Sequence, residues 1–147
     1  MDNLASILGD EKHYSEVLNL QQQALQADLP VLGPDHPYTL YSEANVGNYL
    51  SHKGHYAGGA KLFRQAIQTA TKTNQPTVLA TLWYHFGATA AAAGRRDDAF
   101  TYLSHAVDAG FSQVLTMQND DDLKAVRQDH RFAALLAKVR QNASKSH

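Results

Sequence analysis

"NVGNYLSHKGHYAGGAKLFRQAI", residues 45–67, reads as two helices folded back on one another. In its first part Val46, Tyr49 and Leu50 share a face; in its second part Tyr56, Leu62, Phe63, Ala66 and Ile67 do. Separations near three, four and seven are the period of a helix with one buried stripe. Strand-type alternation is poor, and alanine, glutamine and leucine outnumber the β-branched residues that favour strands. Gly54 falls between the two parts, where a tight turn needs a residue without a Cβ.

Outward from this stretch, the pattern recurs. "KHYSEVLNLQQQAL" (12–25), "GHYAGGAKLFRQAI" (54–67) and "GRRDDAFTYLSHAV" (94–107) align without gaps, and their shared alanines, Ala24, Ala66 and Ala106, are 42 and 40 residues apart. Each is preceded by a second matching block: "NLASIL" (3–8), "NVGNYL" (45–50) and "HFGATA" (85–90). Two blocks recurring together mark a repeat of paired helices. Small residues stand at matching places, Ala5, Gly47 and Gly87 in the first helix and the three alanines in the second, where paired helices must approach closely. Gly94 repeats the turn position of Gly54.

These residues carry a resemblance to the tetratricopeptide repeat (TPR) family. The longer variety, as in kinesin light chains and bacterial multi-repeat proteins, is the nearest match, with the 42-residue spacing of Ala24 and Ala66, the joint "LGPDHPYTL" (32–40) and Trp83 early in the third first-helix. The resemblance covers residues 2–109 and departs at Gln21, Arg96 and Gly59. It implies an all-α fold, a right-handed α-α superhelix of three helix pairs at about 2–32, 36–74 and 76–109. Gly58 and Gly59 on a helix cost about 1 kcal/mol each relative to alanine, which predicts a weakened or specially packed second helix.

After residue 109 the pattern changes. "AGFSQVLTMQNDDDLKAVRQDHRFAALLAKVRQ" resembles the tail that ends bacterial arrays of this family. Asp120, Asp121 and Asp122 stand where one helix should begin and Asp129 before another, places where carboxylates accept orphan backbone N–H groups. Leu123, Val126, Phe132, Leu135, Leu136 and Val139 form a stripe able to cover the bare side of the third pair. Residues 110–143 are therefore expected to be a helical cap, as a solenoid requires, with 144–147 a disordered tail and Asn142-Ala143-Ser144 an idle sequon. At the other end Met1-Asp2 leads straight into "NLASIL". The expectation is a C-terminal piece of a longer repeat protein, whose uncapped N-terminal repeat pairs with a second copy as a homodimer.

Composition excludes several chemistries. There is no cysteine, so disulfides and thiolate ligation are out. No run approaches the roughly 18 apolar residues of a membrane span, no secretory pattern opens the chain, and a cytoplasmic protein is expected. Net charge is −1, which draws neither nucleic acid nor anionic membrane. Acids Asp2, Asp10, Glu11, Glu16, Asp28, Asp35 and Glu43 gather before residue 50 and bases Lys53, Lys61, Arg64, Lys72, Arg95 and Arg96 after it. His52 and His55 lack a third ligand for zinc. Asp120–Asp122 lacks the glycine and glutamate of a calcium loop, and neither a phosphate loop nor a nucleophile elbow occurs. No enzymatic activity, cofactor or metal is expected.

A solenoid works through its surface, and its first helices line the concave side. Superposing the repeats gives rows across that side: Asn3, Asn45 and His85; Ser6, Asn48 and Ala88; Asp10, His52 and Ala92; Tyr41 with Thr81; and Ala44 with Tyr84. The candidate partner-binding set is Asn3, Ser6, Tyr41, Asn45, Asn48, His52, Thr81, Tyr84 and His85. An asparagine amide both donates and accepts, which suits it to peptide backbone, and the resemblance implies that role at Asn3 and Asn45. The competing readings are that these are simply polar residues facing solvent, or asparagines bonding a neighbouring helix. The lysines and arginine with which some TPRs hold a C-terminal carboxylate are missing, and "ATAAAAG" (88–94) predicts a shallow apolar stretch able to take a small side chain or a closely packed helix.

"VLGPDHPYTL" (31–40) is then a joint rather than a catalytic Asp-His loop, with Pro30 and Gly33 stopping one helix and Asp35 or His36 capping the next. The expected function is a protein-interaction or scaffold module holding a peptide or protein segment in its groove. Two other expectations stand beside it: a regulatory or sensor segment of a kinase or transcription regulator lying upstream of residue 1, and a fragment whose groove binds nothing alone.

Overall fold

The computed structural model describes residues 19, 20, 22, 23, 26, 27 and 30–145, and among them every regular element is helical. Six α-helices follow in order: α1 (Pro37–His52), α2 (Tyr56–Lys72), α3 (Pro76–Ala92), α4 (Arg96–Asp108), α5 (Val114–Asn119) and α6 (His130–Lys145). A 3-10 turn, Asp121–Val126, lies between α5 and α6. No helix among the described residues is long and apolar enough to cross a membrane.

The joint at 31–40 shows how the sequence sets the boundaries. Residues 30–32 are helical, and Gly33, at φ +89°, ends that segment. Pro30 therefore sits within helical backbone and is not the stop. His36 caps α1, its Nδ1 accepting from the Tyr38 N–H at 3.0 Å, and Pro37 occupies the first turn, where a missing N–H is harmless. The Thr39 hydroxyl donates back to the Gly33 carbonyl at 2.9 Å.

Helix ends are closed by one repeated device. The His55 N–H donates to the Leu50 carbonyl at 2.9 Å and the Gly54 N–H to Ser51 at 3.0 Å, the two bonds of a Schellman motif around a left-handed residue. The same pair recurs as Gln75 to Ala70 with Asn74 to Thr71, as Arg95 to Ala90 with Gly94 to Ala91, and as Phe111 to Ala106 with Gly110 to Val107. The left-handed positions are Gly54 (φ +90°), Asn74 (+53°), Gly94 (+80°) and Gly110 (+103°). Each such turn reverses the chain, so α1 packs on α2 and α3 on α4.

Close approach within the pairs follows from the small residues. A Cβ placed on Gly47 would lie 2.8 Å from the Gly59 carbonyl oxygen, and one on Gly59 would collide with the Gly47 carbonyl. Gly59 is thus the point of backbone contact between α1 and α2, whereas Gly58 faces only Leu50, at 3.9 Å. Ala66 and Ala106 are fully buried at the equivalent contacts. Phe63 of α2 stacks on Phe86 of α3 at 4.9 Å, and Phe86 on Tyr102 of α4 at 3.9 Å, which ties one pair to the next.

The C-terminal segment covers the last pair from two sides. The 3-10 turn lies along α3, and α6 lies along α4. Leu123, Val126, Phe132, Leu135 and Val139 are buried as the stripe requires, and Leu136 is half-buried. Asp120 caps the 3-10 turn by accepting from the Asp122 N–H at 3.0 Å. Asp129 opens α6, accepting from the Arg131 N–H at 2.9 Å and from its guanidinium at 3.0 Å. Arg131 also reaches Asp97 on α4 at 3.1 Å and lies over the Phe100 ring at 4.3 Å. Two expectations change here. α6 continues through Ser144 and Lys145, into the expected tail. Asn142 is half-buried, donating to the Val107 and Phe111 carbonyls at 3.0 Å each, so it fastens α6 to the end of α4 and is no part of a loose tail.

Candidate functional site

Tyr41, Asn45, Asn48 and His52 recur at four, seven and eleven residues along α1, and Thr81 and His85 at four along α3, so each set lies on one face of its helix. The two helices are in contact. Asn45 is exposed, and Tyr41 and Thr81 are half-buried. The Thr81 hydroxyl donates to the Thr77 carbonyl one turn back at 3.2 Å. Asn3, Ser6 and Asp10, together with the N-terminal surface expected to form a homodimer, lie outside the described residues.

Two candidates serve the fold instead. Asn48 is half-buried and its Nδ2 donates to Thr89 Oγ1 at 2.7 Å, bridging α1 to α3. That is the interhelical role, not a peptide grip. Tyr84 is 1% exposed, stacks on Phe111 at 4.3 Å, and its hydroxyl donates to Asp120 Oδ2 at 2.7 Å. It anchors the acidic turn from beneath and does not face a groove. Burial, and after it the bond to Asp120, pushes the Tyr84 pKa up, so the phenol stays a donor.

The alanine run explains where that turn goes. Ala88, Ala90 and Ala91 are buried, and Ala88 and Ala91 share a core cluster with Leu123 and Val126 of the turn. Side chains no larger than methyl let the chain's own 3-10 turn pack onto α3, where the expectation was a shallow apolar stretch able to take a small side chain or a closely packed helix. His52 reaches the turn from α1, its Nε2 lying 3.4 Å from Asp122 Oδ1. Among the described residues the α1–α3 face is therefore covered toward its C-terminal end and open over the halves carrying Tyr41, Asn45, Thr81 and His85.

His85 stands at the border between the two regions. It keeps contact with solvent, yet its crowded setting lowers its pKa by desolvation, while Asp120 and Asp122 pull the other way. Beside Thr81 opens a cleft of about 240 Å³, walled by Thr77, Thr81, Ser112 and Gln113 over a floor of Ala80 and Phe111. The repeat alignment could not find Ser112, Gln113 or Phe111, which lie beyond the third repeat. Thr89 and Asp120 did leave signals: a lone hydroxyl inside an alanine run, and an acid with more acceptors than a cap uses.

Chemically the described part of the face offers amide, hydroxyl and imidazole groups. Among the described residues no three His, Asp or Glu side chains converge to hold a metal ion. Comparison with known proteins returned no matching family model, no similar curated protein and no similar solved structure.

Proposed function

We propose that the chain is a protein-interaction module: a TPR-type solenoid of three helix pairs with a C-terminal cap, holding a segment of a protein partner on the open half of the α1–α3 face. It acts by binding, without chemistry of its own. The observation that carries this reading is the division of labour between the helices. α1 and α3 spend one side of each turn on the core and present Tyr41, Asn45, Thr81 and His85 on another, beside a cleft. A concave, mostly uncharged surface with a few convergent polar groups is the usual form of a recognition site.

The test is selection of peptides from a displayed library, followed by affinity measurement by fluorescence polarisation. Asn45→Ala should weaken a selected peptide about tenfold, the ratio that about 1.4 kcal/mol produces, and leave the melting temperature unchanged. Asn48→Ala should do the reverse, costing about 1 kcal/mol of stability through the bond to Thr89 and little affinity. Selected peptides indifferent to Asn45→Ala and to a cleft-filling Thr81→Trp would remove the proposal.

A further inference from the structure

Charge on this fold is sorted by helix. α1 and α3 together carry a single Asp, Glu, Lys or Arg, the half-buried Glu43. Helical bases are elsewhere: Lys61, Arg64 and Lys72 on α2, Arg96 on α4, and Arg131, Lys138, Arg140 and Lys145 on α6. At the closed end of the α1–α3 face the chain places Asp120, Asp121 and Asp122 in sequence. The cations nearest them in sequence are Lys124 and Arg127. Arg127 donates to the Asp120 carbonyl at 2.7 Å and leans over the Phe132 ring, toward α6, leaving exposed Lys124 on the turn itself. Lys53, next to His52, lies over the Tyr49 ring.

We propose that the partner segment is cationic, seating one uncharged side chain in the cleft between Thr77, Thr81, Ser112 and Gln113 and laying a Lys or Arg beside Asp121 and Asp122. This rests on the interaction-module reading and deepens it. Three observations join the two subsites. The cleft, at about 240 Å³, is smaller than a drug-sized pocket and suits a single side chain, and its walls carry hydroxyls and an amide but no charge. Its floor residue Phe111 stacks on Tyr84, whose hydroxyl holds Asp120, so cleft and acidic turn are joined through one aromatic pair. His85, one turn beyond Thr81, lies close enough to the turn to be influenced by both Asp120 and Asp122, so the acidic turn borders the open half of the face. Four helical residues, the step from Thr81 to His85, rise about 6 Å, close to two residues of extended peptide. The cation therefore belongs at least two positions from the seated side chain.

Asp121 is exposed, and Asp122 meets an imidazole that neutralises it only when protonated. An ammonium or guanidinium from a partner supplies the charge that the fold leaves out. An acidic segment would instead be repelled here and drawn to α2 and α6.

The experiment uses the full chain and an array of terminally blocked nonapeptides. One position is Lys, Arg, Gln or Glu, and a second position, set two to five residues away, runs through all uncharged side chains. Lys and Arg rows should bind at least tenfold tighter than Glu rows, with affinity falling as salt rises. Asp121→Asn alone, and with Asp122→Asn, should cut that preference at least threefold. Asp121 has no structural bond to lose, so the single variant separates recognition from folding. Thr81→Trp should erase the side-chain preference at the second position. Gln or Glu rows binding as tightly as Lys rows overturn the inference, as does a Lys preference undiminished in the Asn variants. If Glu rows bind and Asn45→Ala weakens them, the module reading survives and the cationic partner alone falls. No binding in any row sinks both.

Discussion

Gly58 and Gly59 are neighbours on α2 with opposite tolerances. Gly59 touches the backbone of α1, so Gly59→Ala must push the helices apart; overpacking of this kind costs about 1–3 kcal/mol. At Gly58 a methyl group meets only Leu50 at 3.9 Å, and Gly58→Ala should gain about 0.5–1 kcal/mol from lower chain entropy. Urea denaturation of the two variants checks the contrast, and equal effects would contradict the packing described. The sequence announced a problem at this pair without saying which glycine mattered, because the choice depends on what lies across the interface. His85 gives a second residue-scale prediction. Its pKa is lowered from 6.5, so the fold prefers the neutral ring. The associated stability is present above the unfolded value and is lost as pH falls through the folded one. Melting temperature should therefore drop between pH 7 and 5, less steeply in His85→Gln than in the parent chain.

Among the elements, α3 carries the most. It packs on α4, on the preceding pair and beneath the 3-10 turn, and its sequence is correspondingly poor in charge. Removing the hydroxyl that holds that turn, in Tyr84→Phe, should cost about 1 kcal/mol and raise amide exchange over Asp121–Val126 well before α3 itself opens. Exchange spread evenly over the molecule would show that the turn is held by other contacts. Helix pairs, their joints and the apolar stripe of the cap could be read from periodicity, because periodicity records burial directly. The site was only partly legible, since Asn45 and Asn48 look alike in sequence. What separates them is Thr89, a residue 41 positions downstream of Asn48 that only the fold brings near. Tyr84 misled for a similar reason. Its repeat equivalent, Ala44, is also buried, but nothing in a single repeat reveals that a later acid will meet the phenol.

At the scale of the molecule, the core falls into two clusters, one around Phe63 and Leu82 and one around Leu103 and Leu123. Tyr56, Trp83 and Tyr102 pack against both, so the clusters should melt together. Phe63→Ala and Leu123→Ala, each expected to cost about 2–5 kcal/mol, should lower one and the same transition although they lie in different clusters. Trp83 is the sole tryptophan, and its emission makes the shared seam directly visible. Two separated transitions would mean that the seam does not couple the pairs.

Gly54 and Gly94 stand 40 residues apart with nearly the same backbone angle, and each closes its helix with the same two bonds. Excising residues 55–94 would leave an equivalent junction, Gly54 followed by Arg95, so at the level of the backbone the array can lose a unit without a seam. The cap makes the units unequal. It is fitted to Tyr84, Ala88 and Ala91, and after excision it would meet Ala44, Asn48 and Ser51 in their places. The shortened chain would keep its backbone junction and lose the fit of its C-terminal segment.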